Sequence, residues 1–538
     1  MFPRIKRGGN EEHPHDYLQV VEAYRDPQSG KPKHRLIANL GRLDRLRDSG
    51  QLDALIVGLA RFSEHVRVLG AARSDEGVGC RSKLWGPPLV FGRLWEREHL
   101  PEVLAELAEG RRFGFDLERM AFALTLQRLC CPGSDLQGSA WVQTVEAPGF
   151  GALELHHFYR TAAWLYAVRE PLERELFRRD RDLFSREEVD LLFVDTTSVY
   201  VYRDTETEWR KRGYSRDRHG ELPQFVLAVA VDGEGWPVAW EVYPGNTMDR
   251  AAFLKVIEVF RTRLRIRRVI VVADRAMLDQ ETLKALTEDL QAPFDYILGC
   301  KMRRQKEVRD EVLVRAGRYH RVAGNLRVKE VRVEGRRYVV CYNPEEARKD
   351  KAAREKIVAR LEETLAREPR AVIGNTGFKR FLRPARGTLE IDRRAIEREA
   401  RFDGKYVLRT NTDLATDAVA TTYKGLWRVE RIFREEKSVL EVRPIFHHSD
   451  ENSIGHIVAS FLALRLDVDL QRRLDAKGVE TSWPDLMRDL SEVRAVRLTL
   501  DGKAWKIRTD LTGSAYAAFE AAGVRPPLRL LPLREATM

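Results

Sequence analysis

Two aspartates follow directly after apolar, β-branched runs of the sequence. Asp195 follows Leu-Leu-Phe-Val at residues 191–194, and Asp274 follows Val-Ile-Val-Val-Ala at residues 269–273. Such runs are typical of strands buried on both faces, so each carboxylate is expected where a buried strand ends. Ligands collect at the carboxyl ends of strands in α/β sheets, and carboxylate oxygens suit hard divalent cations such as Mg2+. Either aspartate alone fits an ordinary turn or helix cap, whereas the pair indicates one cation site.

A third acidic residue lies in the stretch YKGLWRVERIFREEK, residues 423–437. Tyr423, Glu430 and Lys437 are seven residues apart, which is about two helical turns, so on one helix they share a line. A solvated helix with favourable charge pairs is the alternative, because Glu430 and Arg434 are spaced i,i+4. Four apolar residues nearby indicate that this side of the helix faces partly inward: Leu426, Val429, Ile432 and Phe433.

The elements that must position the aspartates follow from the hydrophobic periodicity. Three strand-like runs separated by turn residues are followed by a helix, a buried strand, a helix and a strand. In chain order these elements occupy residues 189–202, 224–232, 237–245, 249–264, 267–275, 279–290 and 295–301. The order β-β-β-α-β-α-β predicts a mixed α/β sheet.

The patterning divides the chain into six segments. A hairpin is expected from residues 16–26 and 34–43, whose joining residues contain Gly and Pro, and a second hairpin is expected to turn at Asp501 and Gly502. The predicted segments are a basic module (1–90), a helical domain (91–188), the first part of the core (189–301), a highly charged insertion (302–401), the second part of the core (402–475) and a tail with a hairpin (476–538).

Composition limits the partners and the compartment. The chain has 538 residues and a formal net charge of +11, which favours a polyanionic partner, although such charge also solvates a large surface. Its five cysteines show no C-x-x-C spacing, which argues against a disulfide framework or a zinc ribbon and for a reducing compartment. No apolar run approaches the roughly 20 residues of a membrane span, and no secretory signal is visible, so we expect a soluble cytoplasmic protein without membrane contact.

The residues around Glu430 resemble the DDE transposases of bacterial insertion sequences, in the IS-four superfamily, whose signature around the third acid is Y-(2)-R-(3)-E-(6)-K. Tyr423, Glu430 and Lys437 fall in register, and Leu426 stands at the arginine position. The stretch is similar to the subgroup with LW-x-VE-x-x-FR-x-x-K. The resemblance extends, from about residue 90 onward, to FVDTTSVYVY, VVADRAML, FDGKYVLRTN and RPIFHHSDENSIGHI, and more weakly to RLCCPGSD and RLTLDGKAWKIRTDL.

This resemblance implies an RNase H-like (retroviral-integrase-like) core with a mainly β insertion, an N-terminal β-hairpin module and a helical domain, the two N-terminal segments binding DNA. It implies metal-dependent cleavage at insertion-sequence ends and strand transfer into target DNA. Asp195, Asp274 and Glu430 would be catalytic and would hold two Mg2+ (or Mn2+) ions. The partners would be the terminal inverted repeats and target DNA, with a homodimer in the synaptic complex, in the bacterial cytoplasm at the nucleoid.

DNA contacts are also implied near the third acid. Tyr423 and Lys437 would hold the transposon-end backbone by a hydrogen bond and a charge. Trp427 would stack on an extruded base, or lie in the core as most tryptophans on inward helix faces do. Three arginines are candidates to replace the missing one, with helical direction favouring the last: Arg428, Arg431 and Arg434.

Other polar stretches are expected to have ordinary roles. His447, His448 and His456 lack a metal-ligand partner set in the sequence, so we expect structural or hydrogen-bonding roles. The loop at residues 213–224 contacts phosphate or is simply solvated, and the charged runs at residues 178–188 and in the insertion are expected to be solvated faces.

Two other functions remain open at this point. One is a catalytically silent DNA-binding protein derived from a transposase, and the other is a structure-selective nuclease with the same RNase H-like core. The complete set of three acids favours the transposase over the first, and the basic N-terminal hairpin and large insertion favour it over the second.

Overall fold

The computed structural model describes residues 1–10, 13–27, 31–60, 62–63, 81–183, 191–215, 219–264, 266, 269–275, 279–287, 294–322, 324–367, 376–385, 388–438, 442–500 and 503–533. The chain divides into two compact units. One unit combines Met1–Lys83, Val493–Asp510 and Pro527–Met538, and the other combines Leu84–Glu492 and Leu511–Pro526. The six-segment division expected from the sequence stays a prediction.

Strands occur in both units. In the described residues and in chain order they are β1 (Phe2–Asn10), β2 (His13–Arg25), β3 (Pro32–Arg42), β4 (Arg81–Leu84), β5 (Leu191–Tyr200), β6 (Gln224–Asp232), β7 (Pro237–Pro244), β8 (Ile270–Ala273), β9 (Asp295–Gly299), β10 (His320–Arg321), β11 (Arg327–Val333), β12 (Arg336–Tyr342), β13 (Leu382–Ala385), β14 (Thr388–Ile391), β15 (Lys405–Thr410), β16 (Arg494–Leu500), β17 (Lys503–Arg508) and β18 (Leu530–Pro532).

Helices separate many of these strands. In the same described ranges they are α1 (Leu43–Asp48), α2 (Gln51–Ala60), α3 (Gly86–Arg97), α4 (Leu100–Leu107), α5 (Leu117–Cys130), α6 (Asp135–Trp141), α7 (Leu155–Leu183), α8 (Asp249–Thr262), α9 (Gln280–Thr287), α10 (Pro344–Arg367), α11 (Thr376–Lys379), α12 (Arg393–Ala400), α13 (Thr416–Lys424), α14 (Trp427–Ser438), α15 (Asp450–Ala476), α16 (Trp483–Glu492) and α17 (Ala515–Ala522), with short 3-10 turns at Val142–Thr144 and Phe150–Ala152 and a π turn at Val308–Val312. No helix in this described part is long and apolar enough to cross a membrane.

The first unit contains both predicted hairpins. β2 pairs antiparallel with β3, as expected, and β1 adds a strand that the sequence did not indicate because its residues are largely basic or glycine. β16 pairs antiparallel with β17, also as expected, and β18 lies beside β17. The turn predicted at Asp501 and Gly502 lies outside the described residues.

The second unit is built on a mixed sheet that confirms the predicted order of elements. Within the described residues the strand order is β10-β11-β12-β15-β9-β8-β5-β6-β7. β5, β6 and β7 form an antiparallel meander, whereas β8 runs parallel to β5 and β9 runs parallel to β8. α8 connects β7 to β8, and α9 connects β8 to β9.

The two faces of this sheet carry alternate residues of each strand. Val194, Ala273 and Leu298 belong to the apolar core that also contains Phe253 of α8 and Leu286 of α9. Because successive side chains of a strand point to opposite faces, the residues next to these in sequence lie on the other face. That second face lies against α13 and α14.

Residues 302–401 continue the central sheet at one edge. β11 pairs with β12, and β12 pairs with β15 of the second part of the core. The longest element of the segment is α10, whose Ala, Glu, Lys and Arg residues have high helix propensity. Two strands followed by a long Lys/Arg/Glu-rich helix are what the residue pattern of this segment predicts, and all three are present. That the segment is a mainly β insertion stays a prediction.

A helical layer surrounds α15, which packs against α7 and α5. The helices expected in residues 91–188 are present, with the predicted break at residues 132–135, where Ser134 caps α6. In the interior of this layer Arg465 of α15 bonds Glu98 at 2.9 Å and Asp180 at 2.7 Å. Buried charges paired in this way hold helices in one relative position, because separating them would leave a charge without its partner.

Candidate active site

The two strand-end aspartates occupy neighbouring positions. The parallel register pairs Val194 of β5 with Ala273 of β8, so the next residues along the two strands are Asp195 and Asp274. Residues at the same level of neighbouring parallel strands point to the same face, and such strands lie about 4.8 Å apart. The sheet therefore brings the two carboxylates together on the face that lies against α13 and α14.

The junction between α13 and α14 packs on the strand that carries Asp195. A Cβ atom on Gly425 would lie 2.5 Å from Cζ of Phe193, so only glycine permits this approach. The Arg428 guanidinium lies 5.7 Å from the centre of the Phe193 ring. Glu430, in the first turn of α14, is therefore carried by a helix that is in contact with β5.

The sequence predicted one continuous helix through Tyr423 and Glu430, and this prediction is wrong. α13 ends at Lys424 and α14 begins at Trp427. The helix is interrupted here because Gly425 approaches Phe193 closely and Leu426 is buried, with 8% of its surface exposed. The seven-residue line from Tyr423 to Glu430 thus does not describe one helix face, whereas Glu430 and Lys437 do share α14.

Tyr423 nevertheless reaches the site from α13. Its hydroxyl donates a hydrogen bond to Oδ1 of Asp274 at 3.2 Å. Burial and the negative charge of Asp274 raise the pKa of Tyr423, so the hydroxyl keeps its proton and acts as a donor. Its ring stacks on Tyr406 of β15 at 5.8 Å between ring centres.

Gly299 makes room for this hydroxyl. The register pairs Ala273 of β8 with Leu298 of β9, which places Gly299 beside Asp274. A Cβ atom on Gly299 would lie 2.4 Å from the Tyr423 hydroxyl oxygen and 2.9 Å from the backbone nitrogen of Arg275. Any side chain here would therefore displace the hydrogen-bond donor from Asp274.

The three acids differ in their surroundings. Asp195 is half-buried and accepts a hydrogen bond from the backbone N–H of Thr196 at 2.7 Å. Asp274 and Glu430 are exposed, and among the described residues the Glu430 carboxylate has no hydrogen-bond or ion-pair partner. The three carboxylates do not form a cluster with all ligand atoms within 4.8 Å, the spacing that a single ion needs. Two ions about 4 Å apart need a wider ligand set.

The residues predicted to contact DNA near Glu430 lie in different places. Trp427 is exposed over 52% of its surface, so it does not lie in the core, and the Arg428 guanidinium is 5.3 Å from its ring centre. Arg431 bonds the side chain of Gln471 on α15. Arg434 and Lys437 are on α14, but their side chains are outside the described part of the structure.

The loop at residues 213–224 is described only in part, since residues 216–218 lie outside the described ranges. His219 lies 3.0 Å from Glu221, and Tyr214 is exposed. Contact of this loop with phosphate stays a prediction.

Two of the C-terminal histidines lie in a group of possible metal ligands that the sequence did not indicate, while their expected structural or hydrogen-bonding roles stay a prediction. His447 and His456 are buried and lie with Asp135 in a group whose ligand atoms are all within 4.8 Å of one another. His448 is exposed and contacts Arg203 at 2.8 Å. Asp135 was missed because it is far away in sequence, although both RLCCPGSD and RPIFHHSDENSIGHI belong to the stretches that carry the family resemblance.

Comparison with known families covers most of this unit. Residues 188–466 match the family model described as the transposase DDE domain, and this match spans more than half of the chain. Residues 4–72 match the N-terminal domain of the IS1634 family transposase. A search of the curated proteins finds no match. The DDE domain implies an RNase H-like fold, with which the mixed central sheet agrees.

Proposed function

This chain belongs to the transposases with a DDE domain, which cleave DNA and transfer strands with divalent metal ions, and we propose that Asp195, Asp274 and Glu430 are its catalytic carboxylates. The observation that carries the proposal is the β5–β8 register, which supports two aspartates side by side at the strand ends. Glu430 comes from the helix packed over the same face, and its carboxylate has no other partner in the described residues.

The donor set fits Mg2+ or Mn2+. All three groups are carboxylates, two of them exposed, and hard oxygen ligands with open positions suit these ions. When bound, a pair of such ions supplies activation of water or of a 3'-hydroxyl and offsets charge on the leaving oxygen. Asp195 and Asp274 would hold the ions at the carboxyl ends of β5 and β8, and Glu430 would complete the set from α14.

Tyr423 acts in this proposal as a positioning residue. Its hydroxyl holds one oxygen of Asp274, which leaves the other oxygen for an ion and fixes the direction of the carboxylate. The raised pKa of Tyr423 keeps the donor protonated over the working range of pH. Contact of the same hydroxyl with DNA stays a prediction.

Trp427 and the basic residues of α14 are proposed to bind the transposon end. Trp427 offers a ring face to an extruded base, and base stacking on an aromatic ring is worth about 1–3 kcal/mol. Lys437 and Arg434 would hold backbone phosphates. Arg431 would contribute only after leaving Gln471. Leu426 is buried, so the arginine contact of the wider superfamily is absent at this position.

The N-terminal segments 1–90 and 91–188 are proposed to bind the terminal inverted repeats, with 302–401 as an insertion in the core. Residues 4–72 match the N-terminal domain of the IS1634 family transposase, which supports treating the basic module as a separate domain of the transposase. We propose that a homodimer joins two ends in the synaptic complex and that the protein works on nucleoid DNA in the cytoplasm.

The test is cleavage of DNA that carries the inverted repeats flanking the gene. Asp195→Ala, Asp274→Ala and Glu430→Ala should each abolish Mg2+-dependent cleavage while binding to end DNA stays largely intact. Glu480→Ala, which removes an exposed acid in a loop after α15, is the matched control and should cleave normally. Full cleavage by Glu430→Ala would exclude the assignment, and cleavage without strand joining by the intact protein would favour a nuclease.

A further inference from the structure

A second group of possible metal-ligand side chains lies apart from Asp195, Asp274 and Glu430. Asp135 is the first residue of α6, His447 lies in the loop before α15, and His456 is on α15 itself. One ligand atom of each residue lies within 4.8 Å of those of the other two, and in the described ranges this is the only such group of three. The group joins three segments that are far apart in sequence.

Asp135 is buried without hydrogen bonds. Its side chain is 1% exposed, and in the part of the chain that the structure describes neither carboxylate oxygen has a hydrogen-bond partner. The nearest basic nitrogen of the group, Nε2 of His447, lies 3.8 Å from Oδ2, which is beyond hydrogen-bond distance. A buried carboxylate in this state is costly, so the arrangement indicates an additional partner for its oxygens.

Two of the three side chains are imidazoles, which are common ligands of Zn2+ in proteins. His447 and His456 are both buried, and their ring centres lie 5.4 Å apart.

We propose that Asp135, His447 and His456 bind one Zn2+ ion, with water at the fourth position. Two imidazole nitrogens and one carboxylate oxygen are ligands that Zn2+ accepts in tetrahedral sites. Bonds of about 2.0–2.2 Å place tetrahedral ligand atoms roughly 3.4 Å apart. The three ligand atoms, which now lie within 4.8 Å of one another, would therefore move about 1 Å closer together. Small side-chain rotations accommodate this change.

Arg128 is the feature that opposes an ion at this place. Its NH1 lies 3.3 Å from Nε2 of His456, and its NH2 donates to the backbone carbonyl of Gly133 at 2.7 Å. The guanidinium lowers the affinity for a second cation, and Arg128→Gln is therefore expected to bind Zn2+ at least as tightly as the natural chain.

The ion would have a structural role. α15 follows the segment that contains Glu430, and the ligands join its first turns to α6. A bound ion stabilises the folded state because the unfolded chain has no preformed site. The site is separate from the proposed catalytic acids, so its loss and the loss of catalysis are measured separately.

The experiment uses the full chain purified without metal-affinity chromatography. Zinc content is measured directly, and the chain stripped of metal is titrated with Zn2+ against a chromophoric chelator in excess Mg2+. We expect one Zn2+ per chain, also in Asp195→Ala. Asp135→Asn, His447→Gln and His456→Gln should each weaken binding by more than the roughly 10–100-fold that loss of an outer hydrogen-bond partner costs.

His448→Gln is the matched control, because His448 is the exposed neighbour of His447 and should leave zinc binding unchanged. His447→Cys keeps a zinc ligand and should retain the ion, and circular dichroism identifies variants that fail to fold. Cobalt substitution should give the visible absorption of a tetrahedral site. Absence of zinc from the natural chain together with no binding in titration would overturn the proposal, as would equal affinity of Asp135→Asn and His448→Gln.

Discussion

The acids of the proposed catalytic site and the acid of the helical layer lie in opposite surroundings. Asp274 and Glu430 are exposed to solvent, and in the described ranges the only side-chain bond that either makes is the one from Tyr423 to Asp274. Asp135 has almost no exposed surface and lies among two imidazoles, with a guanidinium beside one of them. The same chemical group is therefore open in one region and enclosed in the other.

This contrast separates two uses of a carboxylate. Water solvates an exposed acid, so it needs no fixed partner and can bind and release ions during a reaction. A buried acid needs a permanent partner, because its charge is costly without one. We therefore expect variants of the proposed catalytic acids to change reaction rates. Variants of the Asp135 cluster, which consists of Asp135, His447 and His456, should change stability.

The largest effect is expected for Glu430→Gln. The substitution keeps the side-chain volume and removes the charge, so end cleavage should fall by about 1,000-fold or more, since single electrostatic groups already contribute roughly 100–1,000-fold. The free energy of unfolding should change by less than about 0.5 kcal/mol because the residue is exposed. Single-turnover cleavage and urea unfolding measure the two quantities. A loss of several kcal/mol in the free energy of unfolding would contradict a purely catalytic role for this exposed acid.

Asp135→Asn is expected to act on stability. With Zn2+ at 100 times its Kd the natural chain should gain about 2.7 kcal/mol in free energy of unfolding, whereas the variant should gain little. In chelator, the variant should be as stable as the natural chain or more stable, because it lacks the buried charge. Urea unfolding with Zn2+ and with chelator measures both. Equal destabilisation in both conditions would indicate a hydrogen-bond network without an ion.

Tyr423→Phe should have an intermediate effect on catalysis. Removing the hydroxyl frees Asp274 to rotate, so cleavage should fall by about 10-fold and require more Mg2+, as expected for an outer partner of a metal ligand. Cleavage rates over a Mg2+ titration give both values. Tyr406→Phe removes a hydroxyl from the ring stacked on Tyr423 and is the control. A reduced rate with unchanged Mg2+ dependence would argue against the positioning role.

The smallest effect is expected for Trp427→Ala. Because more than half of the side chain is exposed, stability should change by less than about 0.5 kcal/mol. Binding to end DNA should weaken by about 1 kcal/mol, roughly 5-fold, if the ring stacks on a base. Tyr516→Ala, at another exposed aromatic, should leave binding unchanged. Fluorescence anisotropy with labelled end DNA measures the difference, and equal affinities for both variants would exclude stacking by Trp427.

Local features of the sequence were sufficient for the sheet and its aspartates. The apolar runs before Asp195 and Asp274 predicted β5 and β8, and the order of elements predicted a mixed α/β sheet. The position of Tyr423 could not be predicted in the same way. It depends on Gly299 and Gly425, whose missing side chains permit close packing that a periodic pattern does not indicate.

The Asp135 cluster could not be predicted from the sequence. Asp135 and His447 are brought together only when α6 and α15 pack against α7, and no spacing rule connects residues so far apart. The extent of the sheet was missed for a similar reason. The charged residues of 302–401 indicated a separate insertion, but pairing of β12 with β15 depends on backbone hydrogen bonds that composition does not specify.

The chain order of the proposed catalytic set has a consequence for protein synthesis. β5 and β8 precede residues 302–401, whereas α14 follows them. A ribosome therefore completes both aspartate-bearing strands long before it reaches Glu430. Chains cut short by a frameshift or a stop codon before Trp427 would carry the N-terminal segments and two of the three acids. Such products would retain the segments proposed to bind the transposon end while lacking the proposed third acid, and on this proposal they would compete with intact protein for DNA.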